Sequence, residues 1–151
     1  LYPTVQAMKE GYDQIIWTDA ATHQYVEEAG TMNLLFIING ALVTAPTGDT
    51  ILDGVTRKSV IQIAKDWGME VQERLLSVNE LVEGITSGAV TEAFGAGTAA
   101  VIAPIKTIGF DGVDYELPAP DASNFSAKVF KEISQIRLGE IADTRGWIFK
   151  I

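Results

Sequence analysis

The longest apolar run of the chain, Leu34 to Ile38, is followed at once by Asn39-Gly40 and then by a second apolar stretch, Ala41 to Thr44. Asn-Gly accepts the positive φ angles of a tight two-residue turn, so this pattern predicts a β-hairpin. Crossing a membrane takes roughly 18 apolar residues. The run is much shorter than that, so it suits a strand, and we expect no membrane association.

Hydrophobic spacing predicts further helices and strands around this hairpin. The predicted helices are the helix tail Leu1 to Lys9, Thr56 to Trp67 (Val60, Ile61, Ala64 and Trp67 inward), a helix opened by the capping box Ser77-Val78-Asn79-Glu80 (Val78, Leu81, Val82 and Ile85 inward) and about Asn124 to Leu138 (Phe125, Val129, Phe130, Ile133 and Ile136 inward). The predicted strands are a buried one at Gln14 to Trp17, Met69 to Leu75, Val90 to Phe94 and Ala99 to Ile105 broken by Gly95-Ala96-Gly97, a hairpin at Asp111-Gly112, and a closing strand from Trp147 to Ile151. Hairpins outnumber βαβ units, so we expect a mixed, α+β-like α/β fold with a largely antiparallel sheet and outer helices.

Composition excludes several classes of function. The net charge is −9, from 11 basic and 20 acidic residues, and such a surface repels nucleic acid. The absence of Cys excludes disulfides, thiolate nucleophiles and Cys-ligated metals, and fits a cytoplasmic protein. With His23 as the single histidine, neither a His-rich metal site nor a Ser-His-Asp triad on any other histidine is possible, and we expect no metal site. The 151 residues suit one domain with a real core.

Three segments, 27–33, 51–57 and 94–100, hold more glycine and polar residues than packing requires, each beside a predicted strand or helix end. In the first, a carboxylate could keep a ring nitrogen protonated, and the amides of the turn could hold a carboxylate ligand. In the second, free amides and the helix dipole at a helix start suit a phosphate. In the third, two glycines permit close approach to a ligand. The alternatives are a solvated acidic turn, an ordinary N-cap at Thr56 and a structural bulge.

In order and spacing, the three segments together resemble the signature of branched-chain aminotransferases, which are fold type IV pyridoxal-phosphate enzymes. The matching stretches are Glu28-Ala29-Gly30-Thr31-Met32-Asn33, Ile51-Leu52-Asp53-Gly54-Val55-Thr56-Arg57 and Phe94-Gly95-Ala96-Gly97-Thr98-Ala99, supported by Gly11-Tyr12-Asp13-Gln14, Trp17, Asp19, Ala64-Lys65-Asp66-Trp67-Gly68 and Gly146-Trp147. The resemblance covers essentially the whole chain. It implies the large domain of the D-amino acid aminotransferase-like fold, in which the sheet forms a pseudo-barrel with surrounding helices.

The resemblance also implies roles for individual residues. Glu28 would pair with the pyridine nitrogen of pyridoxal 5'-phosphate, with Glu27 as the neighbour most easily mistaken for it. The other cofactor-binding positions are Val55, Thr56 and Thr98, and the positions at the substrate carboxylate are Thr31, Met32 and Ala99. Arg57 follows the phosphate motif as a supporting residue.

Two positions depart from the family pattern. Asp53 stands where the family usually has proline, so its carboxylate must point away from a phosphate, for example as a helix cap. Ala100 and Ala103 stand where some relatives have a Cys pair, so a thiol redox switch is excluded.

The Schiff-base lysine of the family lies in a segment upstream of the start of this chain, as do a nearby tyrosine and the phosphate-binding arginine of the small domain. Lys9 fits no family motif. We therefore expect residues 1–151 to be the C-terminal large cofactor-binding domain, without the N-terminal small domain, and to be catalytically inactive alone.

The activity implied for the parent enzyme is amino-group transfer between L-leucine, L-isoleucine or L-valine and 2-oxoglutarate, in a homodimer. Two alternatives stay open. One is another fold type IV enzyme, a D-amino acid aminotransferase or an aminodeoxychorismate lyase, which the turn Gly30-Thr31-Met32-Asn33 disfavours. The other is a non-catalytic binding domain.

Overall fold

The computed structural model describes residues 2–99 and 101–149, which form four helices and nine strands. The helices are α1 (Tyr2–Lys9), α2 (Val55–Asp66), α3 (Val78–Ser87) and α4 (Phe125–Leu138). The strands are β1 (Ile16–Thr18), β2 (Val26–Ala29), β3 (Met32–Ile38), β4 (Ala41–Thr44), β5 (Val71–Glu73), β6 (Val90–Gly97), β7 (Val101–Pro104), β8 (Thr107–Phe110) and β9 (Val113–Glu116). In this part of the chain, no helix is long and apolar enough to span a membrane.

Strand β3 is the centre of a seven-stranded sheet. The predicted hairpin is confirmed: β3 and β4 pair through Ile38↔Ala41, and Asn39 and Gly40 both have positive φ. β3 pairs with β6 from Asn33↔Ala96 onward, and β2 pairs with the first two residues of β3. These contacts are antiparallel, and β5 joins β4 in parallel after α2, so the mixed, mainly antiparallel fold is confirmed.

The expected pseudo-barrel is not closed over the residues that the structure describes. β5 pairs with β4, and β7 with β6, so these strands end the sheet on opposite sides. The strands β8 and β9 form a separate two-stranded sheet. Their hairpin, predicted at Asp111-Gly112, is confirmed by the pair Phe110↔Val113.

The sheet is covered on both faces, which explains the uninterrupted apolar run in β3. Because side chains alternate along a strand, Leu35 and Ile37 contact the helices α2 and α4. Leu34, Phe36 and Ile38 contact α3 and the β8–β9 hairpin on the other face. Strand β3 is therefore packed on both of its faces.

Two helix starts show how sequence and tertiary contacts share the capping. Ser77 caps α3 by accepting the amide of Glu80 at 3.0 Å, as predicted, but the Glu80 carboxylate pairs with Arg74 at 2.7 Å. Asn124 precedes α4 without a side-chain cap bond. Glu92 of β6 replaces it, because its carboxylate accepts the amides of Phe125 and Ser126 at 2.8 and 2.9 Å.

Several predicted elements are wrong in extent or burial. The strand predicted at Gln14 to Trp17 is short, and Trp17 is 43% exposed. Of Met69 to Leu75, the residues Val71–Glu73 form the strand. Trp67, the C-cap of α2, and Phe130, within α4, were predicted inward but are half-exposed.

The ends of two predicted strands also differ. β6 runs unbroken through the glycines to Gly97, because their backbones still pair with β3 and β7. Strand β7 starts at Val101, while Ala100 lies outside the described residues. Residues 147–149 are not in a strand, and Lys150 and Ile151 also lie outside the described residues.

Candidate functional site

The three segments singled out in the sequence meet at the start of β3. Asn33 pairs with Glu28 on β2 and with Ala96 on β6. A Cβ built on Gly54 would overlap the Asn33 Oδ1 atom, so the second segment also packs against this side chain. Asn33, which belongs to the first segment, therefore contacts the other two, and the three segments meet at this residue.

Glu28 directs its carboxylate to the loop that precedes α2. Its Oε1 atom accepts hydrogen bonds from the Leu52 amide and the Asn33 Nδ2 atom, both at 3.0 Å. The neighbouring Glu27 instead accepts the hydroxyl of Thr50 at 2.9 Å. The two carboxylates are thus distinguished by their partners: Glu28 bonds to Asn33 and Leu52, and Glu27 bonds to Thr50 in the same loop. Neither is a freely solvated acid of an acidic turn.

The start of α2 has the character of an anion site. The N-cap is Gly54, with φ −63° and ψ 137° and no side-chain cap bond. Thr56 is the second residue of the helix, so the alternative of Thr56 as an N-cap is wrong. First-turn amides have no partner within a helix, and here no side chain caps them, so the amides of Val55 and Thr56 are available to a phosphate. Val55 is 77% exposed, so its side chain does not cover this helix start.

Asp53 does not oppose an anion at this helix start. Its carboxylate contacts Lys58 Nζ at 3.0 Å and Arg57 Nη1 at 3.9 Å. The Asp53 carboxylate was expected to point away from a phosphate at the helix start, and these ion pairs hold it away. The suggestion that Asp53 caps the helix is wrong, since Gly54 occupies the N-cap position.

Arg57 is buried and joins the first turn of α2 to the sheet. The residue is 2% exposed. Its Nη2 atom donates to the Ala45 carbonyl at 3.0 Å and to Glu73 Oε2 at 2.8 Å. These contacts anchor the first turn of α2 on the ends of β4 and β5.

The two glycines of β6 make room for the side chain of Met32. A Cβ on Gly95 would lie 2.9 Å from both Sδ and Cε of Met32, and one on Gly97 would lie 3.1 Å from its Cγ. The β3–β6 register is regular from Asn33↔Ala96 to Ile37↔Glu92, so the alternative of a bulge at the glycines is wrong. The signal in Gly-x-Gly is therefore close side-chain approach within the sheet.

The turns that carry the remaining positions lie at the same end of the sheet. Thr31 directly precedes β3, and its carbonyl oxygen would be 3.5 Å from a Cβ on Gly97. Thr98 and Ala99 follow directly after Gly97 and are exposed. The turn at Thr31 and Met32 thus lies beside Gly97, which Thr98 and Ala99 follow. Thr56 lies two residues after Gly54, which contacts Asn33.

An open depression of about 470 Å³ lies beside Glu28 and is lined by the loop 47–53. Thr56 and Thr98 are not among its lining residues. The sequence analysis did not single out Thr50, and it did not predict that Asn33 lies at the centre of these contacts. A signal existed for Asn33, since it is the polar residue at the start of an otherwise apolar strand, where a buried amide must find partners.

Comparison with known proteins identifies the family of the chain. A family model described as amino-transferase class IV matches residues 2–108. The chain belongs to this family. A probable branched-chain-amino-acid aminotransferase of Staphylococcus epidermidis is 40% identical over 147 residues, covering 97% of this chain and 41% of that protein.

Solved structures show the same fold. The crystal structure of the branched-chain amino acid aminotransferase of Escherichia coli matches with a TM-score of 0.79 at 29% identity, covering 97% of this chain and 45% of that one. The branched-chain amino acid aminotransferase of T.th., complexed with N-(5'-phosphopyridoxyl)-L-glutamate, matches with a TM-score of 0.78 at 27% identity over 97% of this chain and 45% of its own. The chain therefore spans less than half the length of these relatives.

Proposed function

We propose that this chain is the C-terminal large, cofactor-binding domain of a branched-chain aminotransferase. The proposed reaction moves the amino group between L-leucine, L-isoleucine or L-valine and 2-oxoglutarate. The whole enzyme is proposed to be a cytoplasmic homodimer that also contains a small domain and the lysine that carries the cofactor. One observation carries the proposal: an acid, Glu28, is hydrogen-bonded to the loop that leads into an uncapped helix start.

The residues present fit pyridoxal 5'-phosphate. Its phosphate would be held by the amides of Val55 and Thr56 at the start of α2, with Thr98 as a second contact. The absence of a Cβ at Gly54 keeps this helix start close to Asn33. When bound, the cofactor supplies an electron sink for the α-carbon of the substrate.

Glu28 would hold the proton on the pyridine nitrogen, because an opposite charge favours the charged form. The backbone at Thr31, Met32 and Ala99 would orient the substrate carboxylate. The proton transfer itself belongs to the lysine outside these motifs, so we propose that residues 1–151 alone do not catalyse transamination. Detecting transamination of leucine by the isolated chain would contradict this part of the proposal.

The experiment measures amino transfer by the full-length protein with L-valine, L-leucine, D-alanine and aminodeoxychorismate as substrates. We expect activity with the branched L-amino acids and 2-oxoglutarate. Preference for D-alanine or aminodeoxychorismate would favour the other fold type IV enzymes, and no activity with any substrate would favour a binding domain. Glu28→Gln should lower kcat roughly 100-fold, the scale of losing one preorganised electrostatic contact, whereas Glu27→Gln should leave kcat nearly unchanged.

A further inference from the structure

We propose that Asn33 is a positioning residue that ties the Glu28 carboxylate to the start of α2, so that the acid and the anion site act as one rigid unit. This inference rests on the proposed function, since it assigns a partner to the residue that would hold the ring nitrogen. Asn33 itself contacts neither the substrate nor the cofactor in this proposal. It acts through Glu28 and Leu52.

Asn33 is suited to this role by its burial and its bonds. The residue is 5% exposed on the central strand β3. Its Nδ2 atom donates to Glu28 Oε1 at 3.0 Å and to the Leu52 carbonyl at 2.8 Å. Both acceptors require the amide nitrogen, and so the orientation of the side-chain amide is defined.

Leu52 is consequently held at both of its backbone polar atoms. Its amide donates to Glu28 and its carbonyl accepts from Asn33. Its side chain, by contrast, is 71% exposed, so burial of that side chain does not hold the loop here. The closed set of three hydrogen bonds between Glu28, Asn33 and Leu52 therefore sets the position of the loop two residues before Gly54.

The same set of bonds distinguishes the two oxygens of Glu28. Oε1 accepts from both Asn33 and Leu52. Both of these bonds go to Oε1, and across residues 2–99 and 101–149 no hydrogen bond is formed to Oε2. Oε1 is thus the anchored oxygen, and we assign Oε2 as the one that faces the ring nitrogen. Loss of the Asn33 amide would let the carboxylate rotate and would blur this distinction.

Gly54 completes the link. A Cβ at this position would overlap the Asn33 Oδ1 atom. The N-cap of α2 therefore packs directly on the amide that holds Glu28. Any displacement of Asn33 moves the acid and the helix start together.

The test uses the full-length protein reconstituted with pyridoxal phosphate labelled with ¹⁵N at its ring nitrogen. Asn33→Leu keeps the branching and the number of heavy atoms of the side chain but removes both donors, and Asn33→Ser is a smaller, polar substitute in case the leucine variant does not fold. Thr44→Val is the matched control, because Thr44 is equally buried and its hydroxyl bonds the carbonyl of Leu34, the neighbour of Asn33, at 2.7 Å. Ring-nitrogen protonation is read from the ¹⁵N chemical shift, and cofactor affinity from titration of the apoprotein.

We expect the Asn33 variants to bind pyridoxal phosphate about 10-fold more weakly, as for the loss of one hydrogen bond to a charged group, and to hold a smaller protonated fraction of the ring nitrogen. Thr44→Val should lower stability without changing either quantity. Equal effects of the Asn33 and Thr44 variants, or none from either, would overturn the positioning role while leaving the proposed function intact. Failure of the unaltered protein to bind pyridoxal phosphate would instead overturn the proposed function.

Discussion

Gly54→Ala is the most direct perturbation of the site, because a single methyl group is placed against the Asn33 amide. The backbone of Gly54 has φ −63° and ψ 137°, a conformation that alanine adopts without strain. The cost is therefore steric. The new Cβ would lie closer than 3.0 Å to Asn33 Oδ1, and because Asn33 is buried between two strands, its side chain must give way.

Displacing Asn33 breaks its hydrogen bonds to Glu28 and to the Leu52 carbonyl. A bond to a charged group contributes about 1.5–3 kcal/mol and a neutral one about 0.5–1.5 kcal/mol. The less favourable alanine N-cap adds a few tenths, so the free energy of unfolding should fall by about 2–5 kcal/mol. Urea denaturation of the chain, followed by tryptophan fluorescence, measures this change.

Gly48→Ala is the matched control in the same loop. A Cβ on Gly48 meets nothing within 4 Å, and its φ is not in the left-handed region. Its free energy of unfolding should therefore change by no more than about 0.5 kcal/mol. If the two alanine variants were equally stable, the packing of Gly54 on Asn33 would be refuted. So would full additivity of Gly54→Ala with Asn33→Ala, since residues in contact must couple.

Three further outcomes are expected. Glu92→Ala should lower the free energy of unfolding by about 1–3 kcal/mol, because two amides and a hydroxyl at the start of α4 lose their acceptor; urea denaturation measures it, and an unchanged midpoint would refute the capping role. Hydrogen bonds from Thr22 and from the Tyr25 amide hold the pKa of Asp19 well below its ordinary value of 3.8. The stability from Asp19 is thus fully present above that value and is lost as the pH falls through the lower folded pKa; the stability difference between the wild type and Asp19→Asn should narrow from pH 7 to pH 2, and a constant difference would contradict it. If the full-length protein has the proposed activity, Gly95→Ala should displace Met32 and raise its KM for leucine roughly 10-fold; an unchanged KM would contradict the placing of Met32 at the substrate.

Turns and helix ends with local causes could be predicted from the sequence. Asn39-Gly40 and Asp111-Gly112 form the expected hairpins, since both residues of each turn tolerate positive φ. Ser77 caps α3 because its hydroxyl reaches an amide three residues ahead. Each of these depends on neighbouring residues alone.

Contacts between distant segments could not be predicted in the same way. The cap of α4 comes from Glu92, which is 33 residues away from Phe125 along the chain. The glycines of β6 accommodate the side chain of Met32 from β3, and nothing in the sequence of residues 94–98 predicts that contact. The closure of the sheet was also expected wrongly, because closure depends on which strand edges meet.

In the candidate site, some features follow from the local sequence and others from contacts between distant segments. The sequence already marked three places as unusual: Glu28, the helix start after Gly54 and the glycines of β6. Glu28 carries a charge, the helix start offers free backbone amides, and the glycines allow another group to approach the backbone closely. The tertiary structure alone decided that Asn33 joins them. A buried amide can bond whatever donors and acceptors the fold brings within about 3 Å, and those partners, Glu28 and Leu52, are chosen by the pairing of β2 with β3 and by the path of the loop that follows β4.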